Sequence, residues 1–260
     1  MRLIAAITIT AVSVLYMFGT AAAGGMFGPP QPASRGAGGL HTAVGYLYYS
    51  DKFKGGADHV IRQNRLYSEA GYGAHERWEM YGRIGIADLK IADVFRPASD
   101  ATVSSRSDFT GNWKFFGTLG AKAYYPLSGV FGIGAFVQGT SAFGDCKDSV
   151  SGTRNGAPFT TELTLKDMWD VNFGIGLQMN VPQGIRLYAG PCIYYSEAKA
   201  AASPGIPGLA LAGGDTTIRN KTNAGGFAGV DIPLGKGFRL NAEGWFSERL
   251  SVGTAVTYIY

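Results

Sequence analysis

Cysteine, histidine and charge are all scarce in this chain. Two cysteines in 260 residues exclude a disulfide scaffold. Cys146 and Cys192 read as two small hydrophobic thiols, with one disulfide between them as the alternative. The histidines, His41, His59 and His75, belong to no His/Cys/Asp/Glu cluster with ligand spacing, so no metal and no cofactor is expected. Charged residues make up 16% and the net charge is +4. They are scattered, without the basic stripe that nucleic acid requires, and no nucleic-acid partner is expected. Beyond residue 18 no apolar run reaches the length of a membrane helix, which excludes a multi-helix membrane protein.

Glycine and aromatic residues, by contrast, are plentiful: 39 glycines, and aromatics at 13% within a 46% hydrophobic composition. Glycine has no collagen period, and a chain this rich in aromatics folds. Arg2, the apolar run Leu3 to Phe18 and the small residues Ala21-Ala22-Ala23 make residues 1–23 an export signal cleaved after Ala23. No cysteine stands at that point, which argues against a lipid-modified N-terminus. Residues 24–38 are rich in Gly and Pro without a period and read as a flexible leader. The folded unit is 39–260.

There the dominant signal is alternation. From Trp169 to Val181, the apolar Trp169, Val171, Phe173, Ile175, Leu177, Met179 and Val181 interleave with Asp170, Asn172, Gly174, Gly176, Gln178 and Asn180, which is a strand with one apolar face. The same pattern predicts strands at 39–50, 64–74, 76–88, 111–125, 130–142, 165–181, 184–196, 220–232, 237–247 and 250–260. Short turns near 73–75, 126–129, 182–183 and 233–236 alternate with long connections at 51–63, 89–110, 143–164 and 197–219. The last hairpin, turning at 248–249, breaks this rule. Such alternation of turn and loop lengths is that of a transmembrane barrel. The predicted fold is all-β: an antiparallel up-and-down transmembrane β-barrel of about ten strands, with eight or twelve as alternatives and a soluble secreted β protein as the runner-up.

Polar-face composition sets the orientation. Glu69, Glu79, Arg83, Lys122, Asp170, Arg186, Asp231, Arg239 and Glu243 alternate with glycines, as in a narrow lumen where small residues make room for charged ones. These nine form the predicted lumen charge network; Arg65, Lys114 and Lys221 are also expected to point inward. A hairpin symmetric about Gly235 puts Asp231 opposite Arg239, and the hairpin before His75 puts Glu69 diagonal to Arg83. On the apolar face Tyr72, Trp78, Tyr125, Phe238, Tyr258 and Tyr260 lie near the short turns, and Trp169 and Tyr195 near the long loops. With aliphatic residues between, they are the expected membrane-interface aromatics.

The closing strand Val256-Thr257-Tyr258-Ile259-Tyr260, with outward alternation and a final aromatic, resembles the terminal strand of the outer-membrane β-barrel proteins of Gram-negative bacteria. That family most often ends in Phe. Trp78 to Leu89 (WEMYGRIGIADL) is similar to strands of porin-like barrels and identifies no subfamily. The resemblance implies an outer-membrane location after signal cleavage, contact with outer-membrane lipid and lipopolysaccharide, and recognition of the last strand by the barrel-insertion machinery. It sets no oligomeric state.

Chemistry has few candidates. His41 and His75 fall near the periplasmic ends, His59 stands in an outer loop beside Asp58, and no nucleophile accompanies them. Gly71/Gly73, Gly132/Gly134 and Gly174/Gly176 lie within strands and open no helix, so they are not phosphate loops. No catalytic residue is assigned. The function expected is a non-enzymatic outer-membrane barrel, structural or small porin-like with a charge-lined narrow lumen that the salt bridges more readily plug than leave open. The alternatives are a surface adhesin working through its outer loops and, behind it, an outer-membrane hydrolase. The apolar stretch 200–214 is read as an outer loop that folds into the mouth, touches lipid headgroups or binds a partner, with a disordered Gly/Ala loop as the alternative.

Overall fold

The computed structural model describes residues 27–34, 36–54, 58–95, 101–103, 106–154, 157–203, 216–248 and 250–260. The signal segment 1–23 and most of 200–214 lie outside them. Thirteen strands are present: β1 (Leu40–Lys54), β2 (Asp58–His75), β3 (Trp78–Ile91), β4 (Ala101–Val103), β5 (Phe109–Pro126), β6 (Phe131–Phe143), β7 (Cys146–Arg154), β8 (Ala157–Asn180), β9 (Arg186–Ser203), β10 (Thr216–Asn220), β11 (Ala224–Gly235), β12 (Phe238–Phe246) and β13 (Leu250–Ile259). All pairing is antiparallel. Ten of them form the ring β1-β2-β3-β5-β6-β8-β9-β11-β12-β13, which closes where β13 pairs with β1 from His41↔Ile259 to Ser50↔Leu250. No membrane-facing edge is left for unpaired backbone groups.

The long connections are not structureless. β1 and β2 continue pairing out to Lys54↔Asp58, β7 and β8 form a hairpin reaching Arg154↔Ala157, and β10 bridges β9 and β1 beyond the ends of β11, β12 and β13. The wall therefore rises past the ten-stranded section. Strand 220–232 begins instead at Ala224, and Lys221, expected inside, is exposed and bonds Asp58.

Two polarities are stacked along the axis. In the ten-stranded section large apolar side chains point out: Ile84 is 72% and Leu119 78% exposed, and Leu177 is half exposed beside a fully buried Gln178. Nearer the loops the order reverses, and Phe53, Ile61, Leu89, Ile91, Phe109, Leu163 and Leu165 pack inside as an apolar core. Lys52, Arg62, Lys90 and Thr110 face out there. The lower part has the polarity of a barrel in lipid, and the upper part that of a barrel in water.

Two strands achieve the reversal by a β-bulge, because one extra residue moves all that follows to the other face. In β8 the ladder to β9 shifts between Lys166 and Trp169, where Asp167 has φ 50°. Odd-numbered apolar residues are inside before it (Leu163, Leu165) and outside after it (Trp169, Val171). β5 does the same opposite Ala87 and Leu89, taking Phe109 inside and Phe115 outside.

Placing charge in the aliphatic band should be costly and doing so above it should not. Leu119→Arg is expected to lose about 2–4 kcal/mol of folding free energy in phospholipid vesicles, and Ser149→Arg less than about 0.5 kcal/mol. Denaturant titration of vesicle-inserted protein measures both, and equal losses would refute the assignment of faces.

Candidate functional site

The leader does not hang free. From Gly39 at the turn end it enters the lumen, rooted by Gly38 N–H donating to Gly73 O at 2.7 Å and Gly73 N–H donating to Gly39 O at 2.9 Å. Ser34 donates to Glu79 through its amide at 3.1 Å and its hydroxyl at 2.9 Å. Gln31 N–H donates to Gln178 Oε1 at 3.1 Å. The amides of Phe27 and Gly28 both donate to the Glu243 carboxylate, at 3.0 and 2.9 Å. Room is made by glycines: a Cβ on Gly134 would lie 2.6 Å from Pro30.

Phe27 is the head of this plug. Its ring, 1% exposed, stacks on Phe136 at 4.9 Å and contacts Phe227 at 5.4 Å and Trp245 at 4.7 Å. Each such aromatic pair adds about 0.5–1.5 kcal/mol beyond burial. Glu243 is tied to the same cage, accepting from Trp245 Nε1 at 2.8 Å and Tyr188 Oη at 3.0 Å.

All nine predicted network residues point into the lumen, but in separate groups. Near the turn end Glu69 accepts from Arg83 Nε at 2.5 Å and lies 3.0 Å from His41, while Glu79 meets Lys122 Nζ at 2.7 Å and lies 3.7 Å from His41 Nδ1. Arg83 also stacks on Tyr67 and Tyr81, at 4.8 and 4.9 Å. A second group has Asp231 bound by Arg239 at 2.6 Å and approached by Arg186 at 3.7 Å. Asp170, higher up, pairs with Arg65 at 3.0 Å. Glu243 stands with the plug.

Two registers differ from expectation. Asp231 is opposite Asn241, not Arg239, because Gly235, Lys236 and Gly237 all take positive φ and a bulge falls between Pro233 and Gly235. The charges meet diagonally instead. Glu69 and Arg83 are directly opposite, not diagonal, owing to the bulge between Tyr72 and His75. The predicted interface aromatics all lie on the outer face: Tyr72, Trp78, Tyr125, Phe238 and Tyr260 at the turn end with the half-buried Tyr258, and Trp169 and the half-buried Tyr195 at the loop end. Cys146 and Cys192 are both buried and are not joined in a disulfide.

The plug escaped sequence reading, although a signal existed. Phe136, Tyr188, Phe227 and Trp245 occupy the polar parity of their strands, so rings point into a lumen otherwise lined by charge and glycine. A lone Phe27 in a stretch of Gly, Pro and Ala is the side chain they enclose. Above the cage, Gln63, Arg65 and Asp170 line a cavity of about 40 Å³, room for two or three waters. Above it the apolar core packs inside the wall.

Chemistry is sparse. His59 makes no hydrogen bond to a hydroxyl or carboxylate among the described residues, and Asp58 beside it is held by Lys221 at 2.6 Å. No group of three His, Cys, Asp or Glu able to hold a metal occurs among the described residues.

No protein-family model matches the chain, and no curated protein matches its sequence. Solved structures similar to it are outer-membrane β-barrel proteins. The translocator domain of autotransporter NalP from Neisseria meningitidis has 14% identity and TM-score 0.48 over 85% of this chain and 88% of that one. The outer membrane protease OmpT from Escherichia coli has 9% and 0.49 over 85% and 97%. The outer membrane protein OprG from Pseudomonas aeruginosa has 12% and 0.38 over 87% and 98%.

Emptying the cage should free the plug. In a Cys146→Ser/Cys192→Ser background, a Ser34→Cys thiol is expected to react with a hydrophilic maleimide at least about tenfold faster once Phe27→Ala removes about 3–5 kcal/mol of packing. Glu243→Gln should act in the same direction, since an amide group turns a donor toward one of the plug's own donors. Unchanged rates would show that the cage does not hold the plug. In a double-mutant cycle, Asp231→Asn and Arg239→Gln are expected to couple by about 0.5–3 kcal/mol in detergent unfolding. Simple additivity would dissolve the pair.

Proposed function

We propose that this chain is a non-enzymatic outer-membrane protein whose barrel is closed in its resting state, a structural and surface-presenting element rather than an open pore. The observation behind this reading is double closure. The Phe27 plug fills the lumen from the turn end, and the apolar core of Phe53, Leu89, Phe109, Leu163 and Leu165 fills it from the loop end. Either alone would block hydrated ions, for which an apolar constriction is itself a barrier. The balanced lumen charges, bound pairwise, then serve the packing of the wall and not a conduction path.

The same reading includes export through the segment 1–23 with cleavage after Ala23. It also includes delivery to the outer membrane of a Gram-negative cell, and handling of β13 by the barrel-insertion machinery. β13 suits that role as the strand that closes the ring on β1, with Tyr260 N–H donating to Leu40 O at 3.2 Å. The adhesin reading keeps some support from the strand-built wall above the aromatic belt, which holds the outer loops on a stiff base. The hydrolase reading has the least, given the setting of His59.

Planar-bilayer recording tests the closed state. The mature protein is expected to give no unitary steps, and Phe27→Ala none either, because the upper core remains. Stable ohmic steps from the unaltered protein would overturn the closed reading and restore the small porin.

A further inference from the structure

One charge group in the lumen does not balance. Arg186, Asp231 and Asn241 stand side by side on a single rung of β9, β11 and β12. Asp231 is turned to Arg239, whose Nε and Nη2 both lie 2.6 Å from its Oδ2, and Arg239 Nη2 also donates to Gly184 O at 2.7 Å. Arg186 is left 3.7 Å from the same carboxylate oxygen, beyond hydrogen-bond range. Its Nη1 is buried and makes no hydrogen bond among the described residues. A guanidinium keeps its proton, so two fixed positive charges share one carboxylate.

The neighbouring carboxylates are engaged. Glu69 is held by Arg83 at 2.5 Å and His41 at 3.0 Å, and Glu79 by Lys122 at 2.7 Å and Ser34 Oγ at 2.9 Å, with His41 Nδ1 at 3.7 Å. Glu243 takes its four donors from Phe27, Gly28, Trp245 and Tyr188. Beside Arg186 lies a cavity of about 30 Å³, room for two water-sized occupants. Arg186, Asp231, Asn241 and Lys122 line it from the wall, and Gly28 and Pro29 from the plug. Asn241 donates to Tyr188 Oη at 2.7 Å and Val230 O at 3.2 Å, which leaves its buried Oδ1 without a partner. The pocket therefore needs an acceptor beside Arg186 and a donor beside Asn241.

We propose that this pocket holds one small inorganic anion of the halide class on Arg186, with one water between it and Asn241. Water alone would accept from the guanidinium but leave its charge uncompensated, the costlier of the two deficits. Two water-sized places exclude tetrahedral oxyanions. Because Gly28 and Pro29 form part of the pocket, the anion binds the seated plug and stabilises it by mass action. The site rests on the plugged reading of the lumen.

The test compares the mature protein in detergent in sodium chloride and in sodium gluconate at equal ionic strength. Chloride is expected to raise the midpoint of heat-modifiable gel migration by about 3 °C or more, and excess broadening of the chloride NMR line reports binding directly. Arg186→Gln should lose both effects. Asp231→Asn, which frees a second guanidinium, should instead tighten chloride binding about threefold or more. A purely structural role would not send the two variants in opposite directions. Lys199→Gln, on the outer wall, should keep the unaltered response. If Arg186→Gln does not fold, the gain in Asp231→Asn decides. In a Cys146→Ser/Cys192→Ser background, chloride should also slow maleimide labelling of Ser34→Cys about fivefold. A chloride effect that survives Arg186→Gln, one that sulfate reproduces, or none at all would overturn the proposal. Slow labelling in both salts would dismiss the anion and keep the plug, whereas fast labelling in both would dismiss the plug and the site together.

Discussion

A backbone crossing hydrocarbon has no water to bond, so each strand must find both neighbours within the chain. Here that requirement is met by joining the first strand to the last. The β1–β13 ladder, running from His41↔Ile259 to Ser50↔Leu250, completes the ring and fixes much else. It brings both ends of the barrel chain to the turn end, so the leader emerges at the mouth of the lumen. It also sets the width: ten strands enclose a space that a single chain segment with one aromatic ring can fill.

Closing the ring leaves a second demand, because the strands are longer than the membrane is thick. The outer face must be apolar in lipid and polar above it, and the inner face must compensate. β1, β3 and β9 meet this by composition alone: along β3 the outward positions run from Met80, Ile84 and Ile86 to Lys90, and the inward ones from Glu79 and Arg83 to Leu89 and Ile91. β5 and β8 keep their apolar residues on one parity and let a bulge turn that parity around. In sequence the two solutions look unlike. Only the first breaks the alternation pattern in a way composition reveals.

This explains what could be read in advance. Period-two alternation, the aromatic belts and the inward charges are properties of single strands or hairpins, and these were legible. Leu177 and Gln178 face as their parity says, and the ten-stranded ring matches the count of alternating segments. Registers were less legible, since they depend on turn conformations: three consecutive positive-φ residues at Gly235 to Gly237 displace Asp231 from the expected rung. Least legible was the extension of the wall above the membrane. Polar faces and Gly-containing turns there look like loop sequence, and only the shared core of residues as distant as Phe53 and Ile218 makes them strands.

The leader is the sharpest case, because the composition that suggests disorder is what permits its burial. An irregular segment packed inside a protein must satisfy each amide that water no longer reaches. Pro29, Pro30 and Pro32 carry no N–H, so they remove that demand where the chain passes between lumen side chains. Four of the amides that remain are met by the wall: Phe27 and Gly28 by Glu243, Gln31 by Gln178, and Ser34 by Glu79. The obligation runs both ways. Glu243, 4% exposed, draws two of its hydrogen bonds from the plug, and losing them would leave a buried carboxylate short of donors, which is costlier than losing a surface contact. Plug and wall are therefore parts of one packed interior, and proline and glycine in the leader mark a segment shaped to fit a lumen.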